Sequence, residues 1–483
     1  MYDVIVIGGG PAGVTAALRA RELGALVALV ERARMGGTCT NDGCAPTRVL
    51  AKAARLRRDY EQFDEYGLHT DPPSLDFSAL MARTQQTVYA IHEKKQLVDH
   101  LRQAGVEVFA EAGEACFIDP YTLALPDGRK LQGQKFILCA GGRARRLDFP
   151  GAEHALIHSD VWGLRKLPRS LAVVGAAATG CQLASIFAAF GSQVTLLERS
   201  PRLLAIEDAA VSAAVTQGFE ERGLRLVTGI QGVERLESGP DGQTLYYRKG
   251  DVVHPLDVEA VVLSTGWVGN LASLNLAAAG VETNGPYVRA DDFLRTSAVH
   301  IFAAGDITGR MMLVQSAGYE ALAAAENAVR GVGQRQAHKI VPHGGFTDPE
   351  YGSVGLTEEQ AARQFDVLTG VVPYADLDRA VIDGHPVGLC KLVVSRRSRR
   401  ILGAHVVGEQ ALEVVHVAAA AMAADMDIEQ LADLQIAYPT FTAILGLAAR
   451  QVLRDLHGRP ASDEWGSLMR LPPAEWELGA AQP

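Results

Sequence analysis

DVIVIGGGPAG, residues 3–13, decides the fold. It reads as a buried strand running into a glycine-rich turn. A helix follows over about Ala12–Leu23, with Val14, Ala17 and Leu18 on one face. A second strand, ALVALVE (residues 25–31), ends at Glu31. Gly8, Gly10 and Gly13 stand in GxGxxG spacing inside this strand–turn–helix–strand unit. In that context the spacing has a physical meaning. The glycines allow a tight turn, close approach of backbone to a pyrophosphate and packing of helix on strand, while the terminal acid holds a ribose hydroxyl. The phosphates sit at the helix N-terminus.

The same unit recurs. LAVVGAAATG (171–180), a helix through Phe190 and SQVTLLE (192–198) place Gly175, Gly180 and Glu198 as Gly8, Gly13 and Glu31 are placed. Each glutamate follows the first glycine of its turn by 23 positions. Ala177 stands where the middle glycine is expected, which puts one methyl near the pyrophosphate and predicts a looser site. Further out, FILCAGG (136–142), VVLSTGW (261–267) and IFAAGD (301–306) each read as a strand closing in a turn or an acid. From about Val341 the pattern changes to alternating strands, CKLVVS and ILGAHVVG, around the turn SRRSRR, with helices from Leu412. The four arginines of that turn read as a solvated hairpin tip. The expected fold is α/β, with two Rossmann-type dinucleotide-binding domains and an α+β C-terminal domain. The expected boundaries are 1–150, completed by about 271–340, for the first; 151–270 for the second; 341–459 for the third; and an irregular docked tail over 460–483.

A net charge of −10 argues against general affinity for nucleic acid or anionic membrane. No apolar run is long enough to span a bilayer, and the N-terminus lacks the basic region of a secretory signal. The chain is read as cytoplasmic. Six cysteines in 483 residues are too sparse for a disulfide scaffold. Cys116, Cys139, Cys181 and Cys390 read as small buried hydrophobes. Cys39 and Cys44, in GGTCTNDGCAPTR (36–48), are the close pair. They could be a structural bridge, a metal site or reacting thiols.

Taken in order, GGGPAG (8–13), GGTCTNDGCAPT (36–47), the second turn at 175–180, AAGD (303–306) and FTDPEYGSVGLTE (346–358) resemble the flavin-dependent pyridine nucleotide–disulfide oxidoreductases over nearly the whole chain. That family includes glutathione reductase, dihydrolipoamide dehydrogenase and mercuric reductase. The resemblance implies FAD on the first unit, with Glu31 on its ribose, Asp306 near its ribityl chain, and Gly37, Thr38, Ala115 and Gly141 lining its site. It implies NADH or NADPH on the second unit, held by Gly175, Ala177, Gly180, Gln182 and Glu198. It also implies a homodimer whose C-terminal domains lend residues to the partner's active site. Cys44 then faces the flavin as the charge-transfer thiolate and Cys39 attacks the acceptor. The local pattern agrees. Pro46 suits a first helical turn, and a helix through AKAARLRRDYEQF puts Cys44 at a positive dipole end, which favours thiolate. A disulfide closing so short a loop is easily reduced. Zinc needs two further nearby ligands, and no second cysteine pair is present; no residues read as a metal site.

Several positions depart from the family pattern. Where its disulfide reductases carry a His–Glu dyad that protonates the leaving thiol, AYPTFTAIL (437–445) has Tyr438 and Ala443. A tyrosine, with an ordinary pKa of about 10, is a poor proton shuttle at neutral pH, so weak turnover of glutathione disulfide or lipoamide is expected. Mercuric reductases share the tyrosine but use a C-terminal cysteine pair, and no cysteine follows Cys390. Tyr438 is thus either catalytic or a packing residue of the dimer interface. Arg48 and Gln182 replace a Lys–Glu ion pair beside the flavin; Arg48 keeps the positive charge. Ala178 replaces a bulky gate over the nicotinamide, and Trp267 an arginine. Glu198 favours NADH, while Arg199 and Arg202 stand close enough to hold a 2′-phosphate. The expected activity is an NAD(P)H-driven reductase acting on a thiophilic metal ion, a low-pKa disulfide or a quinone-like acceptor. A thiol oxidase using oxygen and a non-turnover redox sensor are the alternatives.

Overall fold

The computed structural model describes residues 1–240, 242–336 and 340–457; the tail expected over 460–483 lies outside the described residues. The described residues divide into two compact units, residues 1–206 with 215–348, and residues 207–214 with 349–457.

The first unit holds two parallel sheets. In one, Tyr2–Ile7 lies between Val27–Val30 and Lys130–Leu138, with Glu107–Phe109 and Ile301–Ala303 extending the parallel core. Ile5, Val6, Leu29, Phe136 and Ile137 are fully buried because both faces of this sheet are covered. On one face the helix Pro11–Glu22 packs against Val314–Arg330 through alanines, among them Ala16, Ala17, Ala321 and Ala324, whose small side chains bring the backbones close. The second sheet runs Arg225–Val227, Gln193–Leu197, Ser170–Val174, Ala260–Leu263, Leu156–Ile157, all parallel. Each sheet therefore ends its central strand in one of the two glycine turns. Of the scattered cysteines, Cys139, Cys181 and Cys390 are buried as expected. Cys116, on the strand Cys116–Asp119, is only half-buried.

The second unit is built on four antiparallel strands, Tyr351–Gly355, Ile401–Val407, Leu389–Ser395 and Val367–Pro373. The helices Ala411–Ala423 and Ala443–His457 pack against it. Arg396, Arg397 and Arg399 of the 395–400 turn are exposed and Arg400 is half-buried, but three of the four also pair with acids: Arg396 with Asp366 at 3.3 Å, Arg400 with Asp425 at 3.1 Å, and Arg399 with Glu429. Beneath the sheet Lys391 is buried, 2.8 Å from Asp208 and 2.6 Å from Glu358. Asp208→Ala removes the buried partner of a buried ammonium, and a loss on the order of 3–5 kcal/mol is expected in urea unfolding. A loss below about 1 kcal/mol, the worth of an exposed pair, would show that Glu358 or water suffices to hold the ammonium.

Candidate functional site

The two glycine turns have the same construction. Gly8 and Gly175 adopt φ of +112° and +101°, a left-handed conformation in which a Cβ would strike the carbonyl of Cys139 or Ser264. A Cβ on Gly13 would lie 1.7 Å from the Gly8 carbonyl oxygen, and one on Gly180 would lie 1.8 Å from that of Gly175. The acids match as well. Glu31 accepts from the Gly9 and Ala33 N–H groups at 2.6 and 2.8 Å, and Glu198 from those of Ala176 and Ser200 at 2.6 and 2.7 Å.

Ala177 is the exception in sequence but not in backbone. Its φ of −80° and ψ of −175° reproduce Gly10, at −77° and −174°, in an extended conformation open to any residue. The alanine is therefore unstrained, and its exposed methyl is the whole of the change. Gly37 has a stricter role: a Cβ there would lie 2.8 Å from the Cα of Gly10, so the thiol-bearing segment can approach the first turn only as glycine. Neither helix that follows a turn, Pro11–Glu22 or Ala178–Phe190, has a side-chain cap on its first N–H groups. Both turns are thus fitted to a dinucleotide diphosphate: glycine-cleared backbone, uncapped N–H donors and an oriented carboxylate.

Thr38 and Cys39 lie in the short helix Gly37–Asn41, and Cys44 is the first residue of Cys44–Tyr60, with Asp42 and Gly43 between. Both thiols are free. They lie in hydrogen-bond contact, and their acidities diverge. The bond donated by Cys39 holds Cys44 down to about 7 against the opposing effects of burial and of the Asp306 carboxylate; the Cys44 backbone N–H adds to it. Cys39, which would have to surrender that bond, is pushed far up, with burial adding and Lys95 opposing. The thiolate of the pair is therefore Cys44, formed above about pH 7 and lost below it. Alkylation of Cys44 by iodoacetamide is expected to rise through about pH 7 in peptide mass spectrometry, with Cys39 lagging. An inflection near the ordinary thiol value of 9.0 would contradict this order.

Arg48, on the same helix, places its guanidinium 4.5 Å over the ring of Phe346. Gln182 hydrogen-bonds backbone: it donates to the Ala178 carbonyl at 2.9 Å and accepts from the Phe346 N–H at 3.1 Å. Asp306 opens the turn Asp306–Thr308, and its carboxyl is pushed up to about 6 by burial and by the charge of Glu320, which is itself fully buried. Gly141, at φ +68°, has open space where a Cβ would stand, and Ala115 is buried in the core under the first sheet.

In the second unit Tyr438 is 75% exposed, and its hydroxyl donates to Asp378 at 2.6 Å, which raises its pKa. Ala443 begins the helix Ala443–His457.

Three groups escaped the sequence reading. Asp378 is 60 residues from Tyr438, and Lys95, which donates to Thr40 at 3.2 Å, is 55 residues from it. Asp42 is gripped by a segment more than 100 residues away, where Ser159 Oγ donates to its carboxylate at 2.6 Å. No local spacing signals such pairs. Among the described residues no cluster of His, Cys, Asp and Glu could hold a metal ion, and no helix is long and apolar enough to cross a membrane.

Comparison with known proteins bears on this geometry. Residues 2–321 match the model of the pyridine nucleotide-disulphide oxidoreductases, and residues 341–449 that of their dimerisation domain. A mercuric reductase of Bacillus cereus is 33% identical over 460 residues, covering 94% of this chain and 72% of that protein. A dihydrolipoyl dehydrogenase of Geobacillus stearothermophilus is 31% identical over 459 residues, covering 93% and 96%. Among solved structures, the HOCl-induced flavoprotein disulfide reductase RclA from Escherichia coli superposes with a TM-score of 0.83 at 26% identity, covering 93% of this chain and 100% of that one. Its Cu(II) complex superposes with a TM-score of 0.82 at 26% identity, covering 93% and 99%.

Proposed function

Because the chain belongs to the pyridine nucleotide–disulphide oxidoreductases, we propose that Cys39 and Cys44 are its exchanging redox pair and that its acceptor needs no protein proton donor. The enzyme is FAD-dependent, uses NAD(P)H and carries the family's dimerisation domain. FAD, when bound, supplies the conversion of a nicotinamide hydride into an electron pair for a disulfide. Gly8, Gly10, Gly13 and Gly37 clear its diphosphate seat, with Glu31 at the ribose and Asp306 at the ribityl chain. Gly175, Ala177, Gly180 and Glu198 do the same for the nicotinamide nucleotide. Gln182 and Arg48 shape the wall between them, and Arg48 holds positive charge there. Thr38, Ala115 and Gly141 complete the first site. Cys44 carries the resident thiolate and Cys39 meets the acceptor.

One observation carries the choice of acceptor. At the position where a proton shuttle is expected, the hydroxyl of Tyr438 is committed to Asp378 at 2.6 Å and its pKa is raised. A phenol so held is a poor acid or base near neutrality, so the acceptor is one whose reduced form leaves without a proton. A thiophilic metal ion meets that requirement. With Cu(II), one thiol and one thiolate give two electrons to two ions; an S–S bond forms, two Cu(I) ions leave and one proton is released. Relatives named mercuric reductase and a structural neighbour solved with Cu(II) support this class. Tyr438 and Asp378 then serve the acceptor side, and the active site is shared across the dimer. The reading places the chain in the cytoplasm, where NAD(P)H is available.

Anaerobic assays with Cu(II), Hg(II), glutathione disulfide and lipoamide test it. Metal-dependent NAD(P)H oxidation is expected to exceed that with either disulfide by about 100-fold or more in kcat/KM, the scale of a missing general acid. Faster turnover of lipoamide or glutathione disulfide would overturn the choice.

A further inference from the structure

The two helices that carry the thiols, Gly37–Asn41 and Cys44–Tyr60, are joined by Asp42 and Gly43 alone. Asp42 is held from outside the loop at three points. Ser159 Oγ donates to Asp42 Oδ2 at 2.6 Å, and His158 Nε2 lies 3.2 Å from the same oxygen. The indole N–H of Trp162 donates to the Asp42 carbonyl at 2.9 Å. His158 is buried and packs its ring on that of Trp267, centroids 4.7 Å apart. His158 opens the short helix His158–Val161 that follows the second sheet's edge strand Leu156–Ile157, and Trp267 opens the strand Trp267–Gly269, which comes after that sheet's strand Ala260–Leu263 and pairs with Gly142–Ala144. Both thiols are free while this grip is made. Closing them into a disulfide requires the sulfurs to approach to about 2.05 Å with a defined dihedral, and the hinge for that movement is the residue that is held.

Resting on the reading of Cys39 and Cys44 as an exchanging couple, we propose that Asp42, Ser159, His158 and Trp162 form a clasp that stabilises the dithiol loop relative to the disulfide. These are positioning residues. They set where the dithiol–disulfide equilibrium lies and leave the chemistry at sulfur unchanged. The contacts are made with both thiols free; in this proposal closure of the disulfide loosens them, so loss of any part of the clasp moves the equilibrium toward the disulfide.

The test is equilibration of the purified holoprotein with mixtures of reduced and oxidised dithiothreitol, acid quenching, alkylation and mass spectrometry of the Cys39–Cys44 peptide. In each turnover the two protein thiols lose two electrons and two protons to oxidised dithiothreitol and form one S–S bond. Asp42→Ala and His158→Ala are each expected to shift the equilibrium about tenfold toward the disulfide, which is about 30 mV. The double variant should shift it little further, because both remove one shared contact. Asp42→Asn, which keeps an acceptor oxygen, should stay within about threefold of the parent. Trp162→Phe deletes one N–H and keeps the packing. It provides a well-folded check, with an expected shift of about threefold in the same direction. Single variants that coincide with the parent, or that add fully in the double variant, overturn the clasp alone. A parent whose alkylation pattern never changes across the mixtures overturns the redox pair itself, and the clasp with it.

Discussion

Gly180→Ala is expected to slow reduction of the flavin by either nicotinamide nucleotide by about 100-fold or more while flavin content and reduction by dithionite stay near the parent's. The added methyl has no room. Its carbon would stand 1.8 Å from the Gly175 carbonyl oxygen and 3.3 Å from the Ser264 Cβ. The obstacle is backbone, so the helix Ala178–Phe190 has to lift away from the turn. That helix carries Gln182 and the uncapped N–H donors proposed to seat the nicotinamide nucleotide's diphosphate. Displacements on the order of 1 Å in such positioning elements cost about 10²-fold in rate. The first turn is untouched, which is why flavin is retained. Rapid-mixing absorbance spectroscopy reads the rate, and a value within about threefold of the parent would mean that the nucleotide does not seat on this turn.

Cys39→Ser is expected to abolish turnover of the acceptor, by about 10³-fold or more as for removal of a nucleophile, while NAD(P)H still reduces the flavin. A serine hydroxyl is not ionised near neutrality and cannot exchange electrons as a thiol does. Yet it still donates a hydrogen bond where Cys39 does, so Cys44 keeps the contact that lowers its pKa. The variant should therefore keep a low-pKa Cys44 and lose only the outer sulfur. Steady-state assays with Cu(II) and rapid-mixing reduction, run on one preparation, separate the two steps. Acceptor turnover that survives in Cys39→Ser would place the acceptor directly at the flavin. Loss of flavin reduction as well would mean that the substitution damages more than the outer thiol.

The nucleotide-binding half of the fold was legible in the sequence because its signals are local. DVIVIGGGPAG and LAVVGAAATG each compress strand, turn and helix into about ten residues, and the glycines answer steric limits of the turn itself. The helix that begins at Cys44 was readable for the same reason. Ala177 divides the same way: the backbone there needs no glycine, so the departure from the motif comes down to the one methyl that the sequence already shows. The contacts that tune the site were out of reach. Tyr438 could be placed by its motif, but its partner Asp378 could not, because nothing in the spacing of either residue marks a hydrogen bond formed by tertiary folding. The same holds for Asp42, whose carboxylate, between two cysteines, reads as loop polarity until Ser159 and His158 are seen on it. The separation of the two thiol acidities is likewise a product of tertiary geometry. Helix position argued for a thiolate at Cys44, while the size of the shift depends on Cys39, Asp306 and burial.

In the proposed relay, electrons from a nicotinamide nucleotide reach the Cys39–Cys44 pair. The direct measurement is an anaerobic titration of the oxidised holoprotein with NADH, and separately with NADPH, following the visible spectrum and counting thiols by alkylation at each step. About two electrons per subunit, the capacity of one disulfide couple, are expected to produce a long-wavelength absorbance band and two newly alkylated residues, Cys39 and Cys44, with most flavin absorbance retained. Bleaching of the flavin without new thiols, or no change with either nucleotide, would contradict this relay.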